Sequence, residues 1–274
     1  MLLQRILTAV PLAVLAVWFV LTQSTESLFY ALLFFITISA WEWAMLCGFN
    51  DVLMRGVYAL VVLSAVFLIN LLLTDKWLSI HVLLIAAVIW WLFVIYIMSV
   101  RHPAEASDKP SVVKLLMGFI TLVPPVSAMV YIHLQPQGSY WLLYVISLVW
   151  VADTGAYFSG KRFGKNKLAP KLSPGKTREG FYGAVFATGL YSILTGYFLE
   201  LNFIQLVELL IIGFFATIFS VAGDLFISWL KRERGVKDTG AILPGHGGIL
   251  DRIDSIMPSA PLFALLLSVI IFNG

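Results

Sequence analysis

The sequence predicts an all-α, polytopic integral membrane protein with about nine transmembrane helices and a cytoplasmic N-terminus. Three observations carry this. First, hydrophobic residues fill 60% of the 274 positions and charged residues only 12%, while mean hydropathy is +0.93. A water-soluble fold of this length cannot hide so many apolar side chains and still present a polar surface. Composition therefore excludes a soluble globular enzyme, a disordered chain and a coiled coil. Second, the apolar residues gather into nine runs, each near the ~20 residues that cross a hydrocarbon core. Third, the basic residues alternate from one side of these runs to the other.

The runs are 6–22, 28–46, 56–73, 78–100, 112–132, 140–156, 181–199, 203–230 and 258–272. In the first, Arg5 is the only preceding basic residue and no small-residue cleavage site follows, so a retained helix is expected rather than a signal peptide. Pro11 inside it is tolerable in a membrane helix. None of the nine runs alternates apolar with polar residues, so membrane strands are not expected.

With the N-terminus inside, 17 of the 18 Lys and Arg residues fall on cytoplasmic segments, and the outer side holds only Lys76. This is a strong positive-inside pattern, and it places the C-terminus outside. Cys47 stands alone, so no intrachain disulfide can form. No linker or soluble module interrupts the chain, which reads as one membrane domain over 1–274, with its chemistry concentrated in 151–257. The outer loops are short and nearly uncharged. Two cytoplasmic segments, 157–180 and 231–257, are long and polar.

The first polar region reads VADTGAYFSGKRFGKNKLAPKLSPGKTREG. Asp153 sits near the end of an apolar run, where an ionisable group is costly and needs a polar cavity or a partner. Six basic residues follow between Lys161 and Lys176, interleaved with Gly160, Gly164 and Gly175. One reading is an anchor for lipid headgroups. The other is a phosphate-binding loop, in which glycine lets the backbone approach an anion and lysine supplies charge. Gly175-Lys176-Thr177 looks like the end of a P-loop, but that loop needs a glycine where Pro170 stands, and no strand precedes it. Ser173 and Thr177 remain candidates for helix capping or phosphate binding. Glu179 could pair with Lys176 or serve structure alone.

The second region reads GDLFISWLKRERGVKDTGAILPGHGGILDRIDS. Asp224, Ser228 and Lys231 are spaced to share one helix face. Asp224 alone could close a helix–helix hydrogen bond, but Lys231 and Arg232 one to two turns on favour a charged site. Asp251 and Asp254 would also share a face if helical, although Arg252 and Asp254 alone could be an interfacial ion pair. His246 lies in a Gly-rich turn with no second histidine at ligand spacing, which argues against zinc and for a phosphate donor or general acid. Carboxylates and cations around Gly-rich turns suit a magnesium polyphosphate, because Mg²⁺ takes a few carboxylate oxygens plus substrate phosphates. The surrounding apolar helices point to a lipid as the other substrate.

SWLKRERGVKDTGAILPGHGGILDRID, from Ser228 to Asp254, resembles the signature of the phosphatidate cytidylyltransferases (CDP-diacylglycerol synthases): a Ser, a Lys-Arg pair, a Lys-Asp pair, a His-Gly-Gly and an Asp-Arg-x-Asp. SPGKTREG is similar to a second loop of that family, in which a Trp commonly stands at the place of Arg178. The resemblance implies transfer of the cytidylyl group from CTP to phosphatidate, giving CDP-diacylglycerol and pyrophosphate, for phospholipid biosynthesis. It implies Mg²⁺, with room for a second cation, held by Asp224 and Asp251 first, then Asp254 and Asp153. Lys231, Arg232, Lys237 and Arg252 would hold phosphate, with Asp238 and His246 in the catalytic set in open roles. Ser173, Lys176, Thr177 and Ser228 would bind nucleotide. The expected location is the bacterial inner (cytoplasmic) membrane, with the site facing the cytoplasm. Membrane lipid is the expected partner, nucleic acid is not, and a homodimer is compatible.

Three rival readings fit the sequence less well. A secondary transporter would explain Asp153 and Asp224, but the chain has no internal repeat and its charge sits on one face. A CDP-alcohol phosphotransferase would need an Asp-Gly-x-x-Ala-Arg start that is absent. A non-catalytic scaffold would not need clustered carboxylates opposite clustered cations.

Overall fold

The computed structural model describes residues 2–242 and 247–270. Its helices are α1 (Leu2–Thr22), α2 (Thr25–Leu46), α3 (Val52–Thr74), α4 (Ile80–Val100), α5 (Val112–Leu134), α6 (Gly138–Phe163), α7 (Arg178–Phe198), α8 (Phe203–Arg234), the single turn α9 (Leu250–Ile253) and α10 (Ile256–Ile270). Strands β1 (Lys167–Ala169) and β2 (Ser173–Thr177) pair antiparallel between α6 and α7. Among the described residues, seven helical segments are long and apolar enough to cross a membrane: α2 to α6, α8, and the stretch Leu250–Val269. The sequence predicts nine. Of α1, Ala13–Thr22 is a shorter apolar helix, and α7 is diluted by glycine, serine, threonine and tyrosine.

The elements end where local chemistry says they should. α8 opens with a reciprocal cap: Asn202 Oδ1 accepts from Gln205 N at 3.0 Å, and Gln205 Oε1 accepts from Asn202 N at 3.1 Å, which satisfies two orphan amides. It closes at Gly235, whose φ of +72° is the left-handed turn glycine adopts without strain. Lys231, Arg232 and Arg234 occupy its last turn, beside the negative end of the helix dipole. A helix of 32 residues is roughly 48 Å long, against a hydrocarbon core of about 30 Å. It exceeds that core by about three turns, the length of its charge-bearing stretch from Asp224 to Arg234.

Two apolar clusters hold the bundle. One centres on Phe226, whose ring meets Trp43, Trp90 and Trp91 at centroid distances of 6.1, 6.3 and 5.8 Å. The other surrounds Tyr144, which stacks on Tyr191 at 5.4 Å and shares a 2.7 Å hydrogen bond with Ser192. Burial drives packing only weakly between helices in lipid, so close contact and internal hydrogen bonds carry more of the load. The α7–α8 seam shows this: Thr217 Oγ1 donates to Thr188 Oγ1 at 3.0 Å.

The charged ends gather at one end of the bundle. Arg234 donates to Met45 O in the last turn of α2 and to Asn50 Oδ1 just after it, and pairs with Asp108 before α5. Lys114 at the start of α5 pairs with Glu233 at 2.8 Å. The ends of α2 and α8 and the start of α5 therefore meet, as antiparallel neighbours must. His133, at the far end of α5, instead bonds Thr25 at the start of α2 (2.8 Å).

Candidate active site

A cavity of about 490 Å³ opens at the charged end between α6, the β1–β2 hairpin, α7 and α8. Its polar lining includes Asp153 and Lys161 from α6, Ser173, Lys176 and Thr177 from β2, and Asp224 from α8. Ala152, Ala156, Phe181 and Val221 give it an apolar wall toward the bundle. The sequence places 157–180 in a polar loop. In the structure α6 continues to Phe163, so Lys161 stands on a helix, and the rest folds into the hairpin. Glu179 secures that turn by accepting from Lys165 N, Asn166 N and Asn166 Nδ2, so its role is to shape the loop. Lys176 finds a different partner: its Nζ lies 2.6 Å from Asp224 Oδ2.

Thr177 is the N-cap of α7 and accepts from Gly180 N at 3.1 Å. Of the two roles left open by the sequence, capping a helix or binding phosphate, its hydroxyl takes the cap, and the residue also lines the cavity. Ser228 Oγ donates to Asp224 Oδ1 at 3.3 Å, one turn along the shared face of α8. Lys231, on the same face, turns to Asp251 Oδ1 at 2.6 Å and is not among the cavity-lining residues.

The four aspartates fall into two groups. Asp251 faces Lys231 and also accepts from Thr239 N (2.8 Å), Thr239 Oγ1 (2.9 Å) and Gly248 N (3.1 Å). Asp254 is buried and interacts electrostatically with Asp224 and Asp153, offset by Lys176 and Lys231. Asp251 lies in the single turn α9 and Asp254 is its C-cap with helical φ and ψ of −51° and −41°, so the three-residue spacing holds, yet the two carboxylates meet different partners. Gly223 permits the approach of this segment, since a Cβ there would strike Asp254 O and the ring of Pro258.

Among the remaining candidates, Arg232 donates from Nε to Leu172 O at 3.2 Å and pins the hairpin turn to α8. Arg252 interacts electrostatically with Asp153. Lys237 and Asp238 are exposed on the segment after α8, and His246 lies outside the described residues. Sequence reading missed Glu42. It is buried on α2 and accepts from Thr239 Oγ1, Ile249 N and Leu250 N. An ionisable residue inside an apolar run was the available signal.

A divalent cation is tested by the donors on hand. Among the described residues, no three Asp, Glu, His or Cys side chains converge as a self-sufficient metal cage. Mg²⁺ in a nucleotide site needs only one or two carboxylates, the remaining ligands being phosphate and water. Asp224 fits that need, because the Lys176 ammonium shows its Oδ2 already offered to a cation beside the cavity.

The sequence profile of the cytidylyltransferase family matches residues 3–270. The chain belongs to that family. Proteins named phosphatidate cytidylyltransferase resemble this cytidylyltransferase-family chain along most of its length. The one from Haemophilus influenzae is 36% identical over 285 aligned residues, covering 96% of this chain and 98% of that protein. The one from Pseudomonas aeruginosa is 38% identical over 270, covering 97% of each. A Staphylococcus aureus protein of the same name reaches 45% identity over 139 residues, about half of each chain.

Proposed function

We propose that this protein transfers the cytidylyl group of CTP to phosphatidate, releasing pyrophosphate and forming CDP-diacylglycerol. The observation that carries the reading is the cavity at the charged end, where Lys176, Ser173 and Lys161 face Asp224 and Asp153 beside an apolar wall. A charged headgroup and an acyl chain need those two surfaces side by side. The full-length match to phosphatidate cytidylyltransferases supplies the substrate pair.

The phosphatidate phosphate is already an anionic nucleophile, so no covalent enzyme intermediate is needed. Its oxygen forms a bond to the α-phosphorus of CTP as the bond from that phosphorus to the β-phosphate bridge breaks, and the electron pair leaves with pyrophosphate. Catalysis then consists of positioning and charge stabilisation. Lys176 and Lys161 hold phosphate charge at the cavity, and Ser173 and the α7 N-terminus at Thr177 offer hydrogen bonds to phosphate oxygens. Lys231, Arg232, Lys237 and Arg252 add positive charge around it. The chemistry that Mg²⁺ supplies when bound is neutralisation of the nucleotide phosphates and of the leaving pyrophosphate. Asp224 would hold it, with Asp153 and Asp254 beside it. Asp251 would join, or hold a second cation, by exchanging Lys231.

The same reading makes α1 and α7 membrane-crossing, for nine spans in all, with the N-terminus and the cavity on the cytoplasmic side of a bacterial inner membrane. The test is direct. Purified protein given labelled CTP, phosphatidate and Mg²⁺ should release pyrophosphate and form CDP-diacylglycerol. Failure to form that lipid with a folded sample would reject the proposal.

A further inference from the structure

We infer that Glu42 is a positioning residue for this site: from the membrane helix α2 it staples both flanks of the Gly-rich segment and thereby orients Asp251 and Lys231. Glu42 is 1% exposed, four residues before the end of α2 at the charged end of the bundle. Oε2 accepts from Thr239 Oγ1 at 3.0 Å and from Leu250 N at 2.8 Å, and Oε1 accepts from Ile249 N at 3.1 Å. Thr239 precedes the Gly-rich segment and Ile249 and Leu250 follow it, so one carboxylate joins its two flanks.

Thr239 carries the effect onward. Its single hydroxyl proton is shared between Glu42 Oε2 and Asp251 Oδ2, the latter at 2.9 Å, and its amide donates to the same Asp251 oxygen at 2.8 Å. Asp251 in turn receives Lys231 at 2.6 Å. The chain Glu42–Thr239–Asp251–Lys231 thus runs from the membrane helix to a proposed phosphate holder, and Glu42 is not among the residues lining the charged-end cavity.

The glycines on either side fit the same account. A Cβ at Gly240 would strike Glu42 Oε1, and one at Gly248 would strike both Glu42 oxygens and Thr239 Oγ1. The carboxylate occupies the space that side chains would take. Arg55, stacked 4.4 Å over the Trp41 ring, lies in electrostatic range as its counter-charge. A buried carboxylate that meets two backbone amides and a hydroxyl is well satisfied. A glutamine in its place turns an NH₂ toward an N–H or hydroxyl donor and opens the staple.

This inference rests on the proposed reaction for its kinetic arm only. The experiment compares wild type, Glu42→Gln, Thr239→Val and Thr239→Ser as full-length protein in lipid nanodiscs, by steady-state kinetics and amide hydrogen exchange. Glu42→Gln and Thr239→Val should each lower kcat about 100-fold, the effect of a small misplacement of reacting groups, with the KM values for CTP and phosphatidate changed less than about threefold. Amides at 248–250 should exchange at least about tenfold faster while those of α5 and α8 keep their rates, a local opening rather than unfolding. Thr239→Ser, which keeps the hydroxyl, should regain most of the activity lost in Thr239→Val. The inference is overturned if Glu42→Gln keeps kcat, if its loss falls on KM for CTP alone, or if exchange rises throughout the bundle. Should Glu42→Gln not fold, Thr239→Val decides by the same criteria. A wild type that makes no CDP-diacylglycerol would sink the proposed reaction, and exchange at 248–250 would still decide whether the staple exists.

Discussion

Lys176 Nζ lies 2.6 Å from Asp224 Oδ2, which ties β2 of the hairpin to the C-terminal third of α8. The two side chains keep 26% and 29% of their exposure. A pair that open to water contributes about 1 kcal/mol or less, so its value to the fold is small. Its place is more telling, because both side chains line the cavity at the charged end. On the proposed reaction, an incoming Mg²⁺ nucleotide would offer each of them a stronger partner.

Replacing Lys176 with Met should therefore spare the fold and harm turnover. Loss of one charged phosphate contact should cut kcat/KM for CTP by about 100-fold, or ~2.7 kcal/mol. Thermal unfolding should shift by no more than ~1 kcal/mol of stability. Steady-state rates at varied CTP check this, and a change below about threefold would remove Lys176 from the nucleotide contacts.

Asp224→Asn and Asp251→Asn should both come near to abolishing CTP-dependent turnover, a loss on the order of a thousandfold. Their stabilities should differ. The Lys231–Asp251 pair is far more enclosed, at 12% and 6% exposure, and an asparagine NH₂ set against the Lys231 ammonium places donor against donor. Asp251→Asn should lose about 3 kcal/mol of stability, whereas Asp224→Asn should lose little. Retention of more than about a tenth of wild-type activity, under ~1.4 kcal/mol, would withdraw that aspartate from the metal shell.

Complete removal of divalent cations should stop turnover, and added Mg²⁺ should restore it. Asp224→Asn, if residual activity is measurable, should need more Mg²⁺ for half-activation than wild type, because one charged ligand is gone. Turnover that persists after exhaustive chelation would take the metal out of the mechanism.

The helical plan was legible because lipid forces each span to satisfy its own backbone, which leaves long uninterrupted apolar runs. Asp224 and Asp153 were legible for the converse reason, as charges inside such runs. Glu42 met the same rule, yet its partners are a hydroxyl and two backbone amides, and amides leave no trace in a sequence. The hairpin was illegible because strands of three and five residues that contain Pro174 and Gly175 offer no alternation to read. The pairing of Lys231 with Asp251 rather than with Asp224 was hidden too. It depends on where the segment after α8 folds back, which Glu42 and Thr239 settle through contacts across the bundle.

Orientation can be checked by labelling, since the nine-span reading puts 17 of 18 Lys and Arg on one side and Lys76 on the other. Cys47 is the only cysteine and is buried, so a water-soluble thiol reagent should find little to modify in the native protein. Lys76 and Lys171 are both exposed, the first between α3 and α4 and the second at the hairpin turn. Lys76→Cys should react with an impermeant maleimide added to intact cells. Lys171→Cys should react only after the membrane is opened, since positive charge near spans is retained inside. Neither change touches the ion pairs of the site, so turnover should stay near wild type and certify folding. The reverse labelling pattern would invert the orientation. Labelling of both positions from outside would mean that an odd number of crossings does not separate them, and the nine-span plan would fall with it.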